Sequence, residues 1–163
     1  MEMKFSMKKI TKIVLGLLVI ALLVSACSKE IAIDLSGPVV DMFGSKVTPE
    51  HLRSDEGKGF IRFEWKNLDS NKEMWSFNGS GLTIYAVQDD KEVGEIDITS
   101  PGAQERIRYN DTMEVILNFE RVDESKPLIM RIKSIAAIDG LENNKDIVID
   151  LETGSYTVNE IEE

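Results

Sequence analysis

The chain has 163 residues, with 29 Asp or Glu against 19 Lys or Arg and a formal charge of −10. That acid excess argues against a nucleic-acid partner, which needs basic residues to neutralise phosphates, and against electrostatic docking on anionic lipid. One His and one Cys cannot supply the three or four ligands of a Cys/His zinc site.

Lys4, Lys8, Lys9 and Lys12 precede an apolar run from Ile13 to Val24. Crossing a bilayer takes about 20 apolar residues, whereas runs of about 10–14 are common at the centre of signal peptides. A basic start, a short apolar centre and small residues before Cys27 predict a secretory signal cleaved after Ala26. The lysines hold the start at the cytoplasmic face, so the remainder is expected to be exported. Without residues 1–26 the chain loses four lysines and one glutamate, leaving 137 residues with a formal charge of −13. That is the length of one ordinary domain. The expected layout is a signal peptide over 1–26, a modified cysteine and short linker over 27–30, and a β domain over 31–163.

The run Leu22-Leu23-Val24-Ser25-Ala26-Cys27 resembles the lipobox of bacterial lipoproteins, with Val24 where leucine is more usual. The resemblance implies a diacylglyceryl group on Cys27 and a membrane anchor at the outer face of the cell. Two acyl chains hold stably where one holds only marginally. With its one thiol acylated, the exported part can form no disulfide. No other cofactor is expected.

Ile31, Ile33 and Leu35 alternate with Ala32, Asp34 and Ser36, the period of a half-buried strand. Gly37-Pro38 ends it. Val39 to Gly59 shows no clear period. Within it, Thr48-Pro49-Glu50 has an N-cap residue, a first-position proline and an early acid, which predicts one short helical turn through His51-Leu52-Arg53. Ser54 to Gly59 is expected to be an exposed loop. Ile61, Phe63 and Trp65 then share one face of a strand, and Asn67 to Lys72 forms a turn cluster. Trp75 and Phe77 precede a bend at Asn78-Gly79-Ser80-Gly81. Leu82–Val87 and Val93–Thr99 read as strands joined through the turn Gln88-Asp89-Asp90-Lys91, with Ile96 and Ile98 expected on one face. Ser100-Pro101-Gly102 breaks the second of them.

Met113, Val115, Leu117 and Phe119 oppose Glu114, Asn118 and Glu120 in the clearest alternation of the chain. Leu128, Met130 and Ile132 follow after a turn. Ile147, Ile149 and Leu151, then Tyr156 and Val158, mark the last strands. Seven or eight short strands separated by turns indicate an all-β, antiparallel sandwich. Two sheets packed face to face would bury Trp65, Phe119 and Met130 together. The segments Phe60–Asn67, Gly81–Tyr85 and Met113–Phe119 resemble strands of small immunoglobulin-like lipoprotein domains of Gram-positive bacteria, many without assigned function. The resemblance covers most of residues 60–133, and Asn110-Asp111 stands where a glycine-containing turn is often found.

Chemistry is sparsely signalled. His51 is the only histidine, is expected in an exposed position, and has no nucleophile motif nearby. Asp139, Asn143 and Asp146, with Glu142 and Asn144, form the densest set of oxygen donors, but they lack the spacing of a calcium loop. No metal is therefore expected. With so many carboxylates, some pair fits any glycosidase spacing by chance. Gly79-Ser80-Gly81 lacks the lysine and helix of a phosphate loop. Trp75 and Phe77 beside the glycine bend, with Tyr85, are the candidate binding residues, and Trp65 is expected in the core. The sequence thus predicts a non-enzymatic, membrane-tethered module for a protein, peptide or envelope polymer. The alternatives are a small carboxylate-dependent envelope hydrolase and an accessory or immunity-type lipoprotein.

Overall fold

The computed structural model describes residues 30–55, 58–120, 122–134 and 143–161. Cys27, the signal segment and Asp139 lie outside them. Twelve strands are present among the described residues: β1 (Ile31–Asp34), β2 (Val40–Met42), β3 (Ser45–Asp55), β4 (Lys58–Asn67), β5 (Met74–Ser76), β6 (Leu82–Gln88), β7 (Lys91–Glu95), β8 (Arg106–Arg108), β9 (Thr112–Glu120), β10 (Leu128–Ser134), β11 (Lys145–Ile149) and β12 (Tyr156–Glu160). The count exceeds the seven or eight expected because several are three- or four-residue pieces that carry no readable period.

All ladders are antiparallel. One five-stranded sheet runs β1-β3-β4-β9, with β2 beside β1 on the same edge of β3. The other runs β12-β11-β10-β6-β7, and β5 and β8 form a two-stranded ribbon. The chain crosses between the large sheets from β4 to β6, from β7 to β9 and from β9 to β10. Side chains alternate in and out along each strand, so each sheet offers one apolar face and the two faces share one core. Trp65, Phe119 and Met130, from β4, β9 and β10, are buried in it together. The Trp65 Nε1–H donates to Ser45 Oγ at 2.9 Å, which satisfies the one polar group that this large ring carries inside. Gln88, also buried, donates to the Asp123 carbonyl at 3.0 Å and accepts from the Asp123 N–H at 2.7 Å. The crossing from β9 to β10 is thereby fixed to the end of β6.

The two sides of this sandwich-like arrangement differ. On one side Ser36 N–H donates to the Gly154 carbonyl and Tyr156 N–H donates to the Ser36 carbonyl, both at 3.0 Å. These bonds stitch the β1 end of the first sheet to β12 of the second. On the other side β7 faces β9 with no ladder among the described residues. The sheets therefore do not close into a barrel.

Three local expectations are corrected. The described residues of 39–59 contain no helical turn: they form β2, the eleven-residue β3 and the start of β4. Pro49 is tolerated because β2 pairs only with Ser45–Val47 and β1 only with His51–Ser54. The proline falls between the two partners, at a register shift against β4, where its missing N–H costs the sheet no ladder bond. Ser54 and Asp55 are not loop residues but pair with Gly59 and Lys58. Finally, Ile96 is buried while Ile98 is half exposed. β7 ends at Glu95, and the Asp97 carboxylate then accepts from both N–H and Oγ1 of Thr99, at 2.9 and 2.6 Å. That local turn ends the alternation. A single helical turn, α1 (Pro101–Gln104), follows, with Ser100 Oγ accepting from Ala103 N–H at 3.3 Å.

Candidate functional site

The unstitched side is where backbone and apolar surface remain available. Asn67 N–H donates to the Asp111 carbonyl at 3.1 Å, one step beyond the pairing of Lys66 with Thr112. Hydrogen-bonded and non-bonded pairs alternate in an antiparallel ladder. Met113, Val115, Leu117 and Phe119 therefore bond to β4, and the main-chain groups of Thr112, Glu114, Ile116, Asn118 and Glu120 point away from it. β9 is an edge strand with an outward-facing row of donors and acceptors.

Gly94 sets how much of that row is covered. A Cβ at this position would lie 2.1 Å from the Asn118 carbonyl oxygen and 2.4 Å from Phe119 Cα. Only a glycine lets β7 come so close, and here it seals β9 at Asn118 and Phe119. Beyond Gly94 the chain leaves the seam and a cleft opens. Its larger part, about 600 Å³, is lined by Phe77, Leu82, Ile84, Ile96 and Ile98 together with Glu95, Asp97 and Asn118. An adjoining part of about 370 Å³ lies between Ser100–Ala103 and Glu114–Ile116, and shares Asp97 and Asn118 with the first. A separate hollow of about 600 Å³ lies on the other side of Gly94, between Lys58, Glu92, Val93 and Glu120.

The cleft is apolar at its floor and acidic at its rim. Glu95, Asp97 and Glu114 line it, and no Lys or Arg does among the described residues. The Thr99 hydroxyl and backbone N–H hold the Asp97 carboxyl below the usual carboxylate range, so it carries charge at neutral pH. Arg62 Nε lies 3.4 Å from Glu114 and 3.7 Å from Glu50, on the outer face of the first sheet. Ile98 and Ile116, at 50% and 44% exposure, flank the opening.

The residues expected to bind behave differently. Phe77 is 1% exposed and is corrected to a core residue. It stands edge-on to Phe63 and Trp65, with ring centroids 5.9 and 5.7 Å apart. The cause is local: Phe77 is helical in φ and ψ as the chain enters the 3₁₀ turn Asn78–Ser80, and strand alternation no longer applies. Trp75 is half-buried. Its ring packs edge-on against Trp65 at 5.9 Å, and its Nε1–H donates to the Gly79 carbonyl at 2.8 Å. Tyr85 is not part of this cluster. It lies in a row across the outer face of the second sheet, paired with Glu95 on one side and Arg131 on the other. Arg131 holds Asp146 with two bonds of 2.7 Å. Hydrogen bonding to Asp146 is the main reason its guanidinium is still harder to deprotonate than usual.

Asp146 is thus committed to an arginine. Asn144 is buried and its Oδ1 accepts from Ser134 N–H at 3.2 Å, while Asn143 is half-buried. No group of three or more His, Cys, Asp or Glu is positioned to hold a metal ion among the described residues. His51 is on β3 rather than in a helical turn and is half-buried rather than exposed, with Nδ1 3.0 Å from Asp34 Oδ1 and its ring 6.4 Å from that of Phe60. Gly94, Ile98 and Ile116 were not singled out by sequence reasoning. Ile116 did leave a trace, as the one large apolar residue in the outward phase of β9.

No protein-family model, no curated protein and no solved structure matches this chain. No helix among the described residues is long and apolar enough to cross a membrane.

Proposed function

We propose that this chain is a lipid-anchored extracytoplasmic binding module that captures a partner along the open β7–β9 seam and performs no catalysis. The lipobox-like run ending at Cys27 supports the anchor. Strand order supports an immunoglobulin-like domain: β3-β4-β9 follows the order A-B-E, and β11-β10-β6-β7 follows G-F-C-C′. One observation carries the binding reading. Among the described residues, the edge strand β9 turns unpaired main-chain groups toward an apolar cleft, and such an edge is a template for pairing with another chain.

A photo-crosslinking residue at position 98 or 116 of the full chain, in membranes of the native host, tests it. Both positions should capture a discrete partner, and position 157, exposed on β12, should not. A seam that captures nothing more than position 157 would end the reading. So would turnover of an envelope polymer or peptide that is lost in Asp97→Asn while the protein stays folded.

A further inference from the structure

We infer that the occupant of the cleft is an extended polypeptide segment with alternating basic and apolar side chains, which adds to β9 as a short antiparallel or parallel strand. This deepens the binding reading above and rests on it. The outward main-chain groups of Glu114 and Ile116 lie two residues apart, about 6.8 Å along the strand. That is the repeat at which an added strand presents its own donor and acceptor groups. The Asn118 position is already occupied by Gly94, so the added strand stops there. The space of about 370 Å³ between Ser100–Ala103 and Glu114–Ile116 leaves room for a chain beside β9.

Side-chain chemistry then follows from the strand period. Every second side chain of the added strand points inward, between β9 and the exposed Ile98, which selects apolar groups. The others point toward the outer face of the first sheet, where Glu114 and the rim residue Asp97 select cations. Anionic polymers and nucleic acid are rejected by the same carboxylates. A neutral glycan finds neither its usual aromatic platform nor a basic partner here, because Phe77 presents almost no surface.

Fluorescently labelled Lys-Val octapeptides, titrated by anisotropy into the detergent-solubilised full chain, test this. The Lys-Val peptide should bind saturably and more weakly as salt rises, and the Glu-Val peptide should not bind. Methylating the amides of one alternate set should abolish binding, while methylating the other set should leave it intact, because only one set faces β9. Asp97→Asn should weaken binding about three- to five-fold, the scale of one exposed ion pair, while circular dichroism shows the protein still folded. Equal binding of both methylated peptides would overturn strand addition, as would binding of Glu-Val. If positions 98 and 116 crosslink a partner but Lys-Val peptides do not bind, this inference fails and the module reading stands. If neither occurs, both fail.

Discussion

Phe77 and Trp75 sit two residues apart in one short segment and do different work. Phe77 fills the core between Phe63 and Trp65, so Phe77→Ala should cost about 3–5 kcal/mol in urea unfolding. Trp75→Phe keeps an aromatic ring beside Trp65 but loses the bond to the Gly79 carbonyl, a loss that by itself costs about 0.5–1.5 kcal/mol. Equal costs would show that the 3₁₀ turn does not aim Phe77 inward. Gly94→Ala pushes a methyl into the Asn118 carbonyl and should cost about 1–3 kcal/mol, as overpacking does. Acid sensitivity also belongs to single residues. Asp97, Asp123 and Asp150 each accept bonds from a hydroxyl or backbone N–H two or three residues on, which lowers their pKa. Their contribution is present above the unfolded value and is lost as pH falls through the depressed folded one. Tyr156 is raised by burial, so its contribution is lost as pH rises through that raised value. Melting temperature should therefore be flat between about pH 5 and 9 and fall on both sides. A decline inside that window would contradict the assignment.

At the scale of the element, the cross-strand row on the second sheet joins β6, β10 and β11 through Tyr85, Arg131 and Asp146. Arg131→Met leaves a mostly buried carboxylate without its partner and should cost about 1–3 kcal/mol. Arg131→Met with Asp146→Leu should recover most of that loss, since no charge is then stranded. A double mutant as unstable as the single would mean that the pair holds the strands in register. The elements also show what the sequence made legible. β4, β9 and β10 were readable because each has one face in the core and one outside, so burial imposes a strict period of two. The all-β class and the shared burial of Trp65, Phe119 and Met130 followed from those strands. Where a local signal competed with tertiary pairing, the sequence misled. Thr48-Pro49 and Ser100-Pro101 carry the same cap-and-proline signature. The second opens a helical turn because its surroundings offer no strand partner, whereas the first is overridden by pairing with β4. The cleft was hidden for a related reason: it is made by where β7 stops, and Ile98 continues the apolar alternation in sequence after the strand has ended in space.

For the whole molecule, strand register fixes which end lies beside Glu30, the first described residue. Ile31 pairs with Ser54, Lys58 with Glu120, Leu128 with Ile149, and Gln88 with Lys91. The β3–β4 tip, the turn after β6, the β9–β10 crossing and the β11–β12 turn thus share one end with Glu30. Among the described residues that end carries Asp55, Asp89, Asp90, Glu120, Asp123, Glu124, Asp150 and Glu152 against Lys58, Lys91 and Lys126. Trp75 and α1, which borders the cleft, belong to the opposite end. On the proposed lipidation of Cys27, three residue steps separate the anchor from Glu30, a reach of about 10 Å. The screening length at physiological salt is about 8 Å, so the acidic end stands within roughly one such length of the headgroups. Its charge should hold the domain upright and off an anionic surface, with the cleft turned outward. Wild-type protein should fractionate with membranes and take up a lipid label, and Cys27→Ala should be uncleaved or shed. In vesicles carrying a headgroup quencher, a fluorophore at position 89 should be quenched more than one at position 98. Added anionic lipid should reduce quenching at position 89, most strongly at low salt. Equal quenching at both positions would remove the upright orientation, and unlabelled Cys27→Ala remaining in the membrane fraction at wild-type levels would remove the anchor itself.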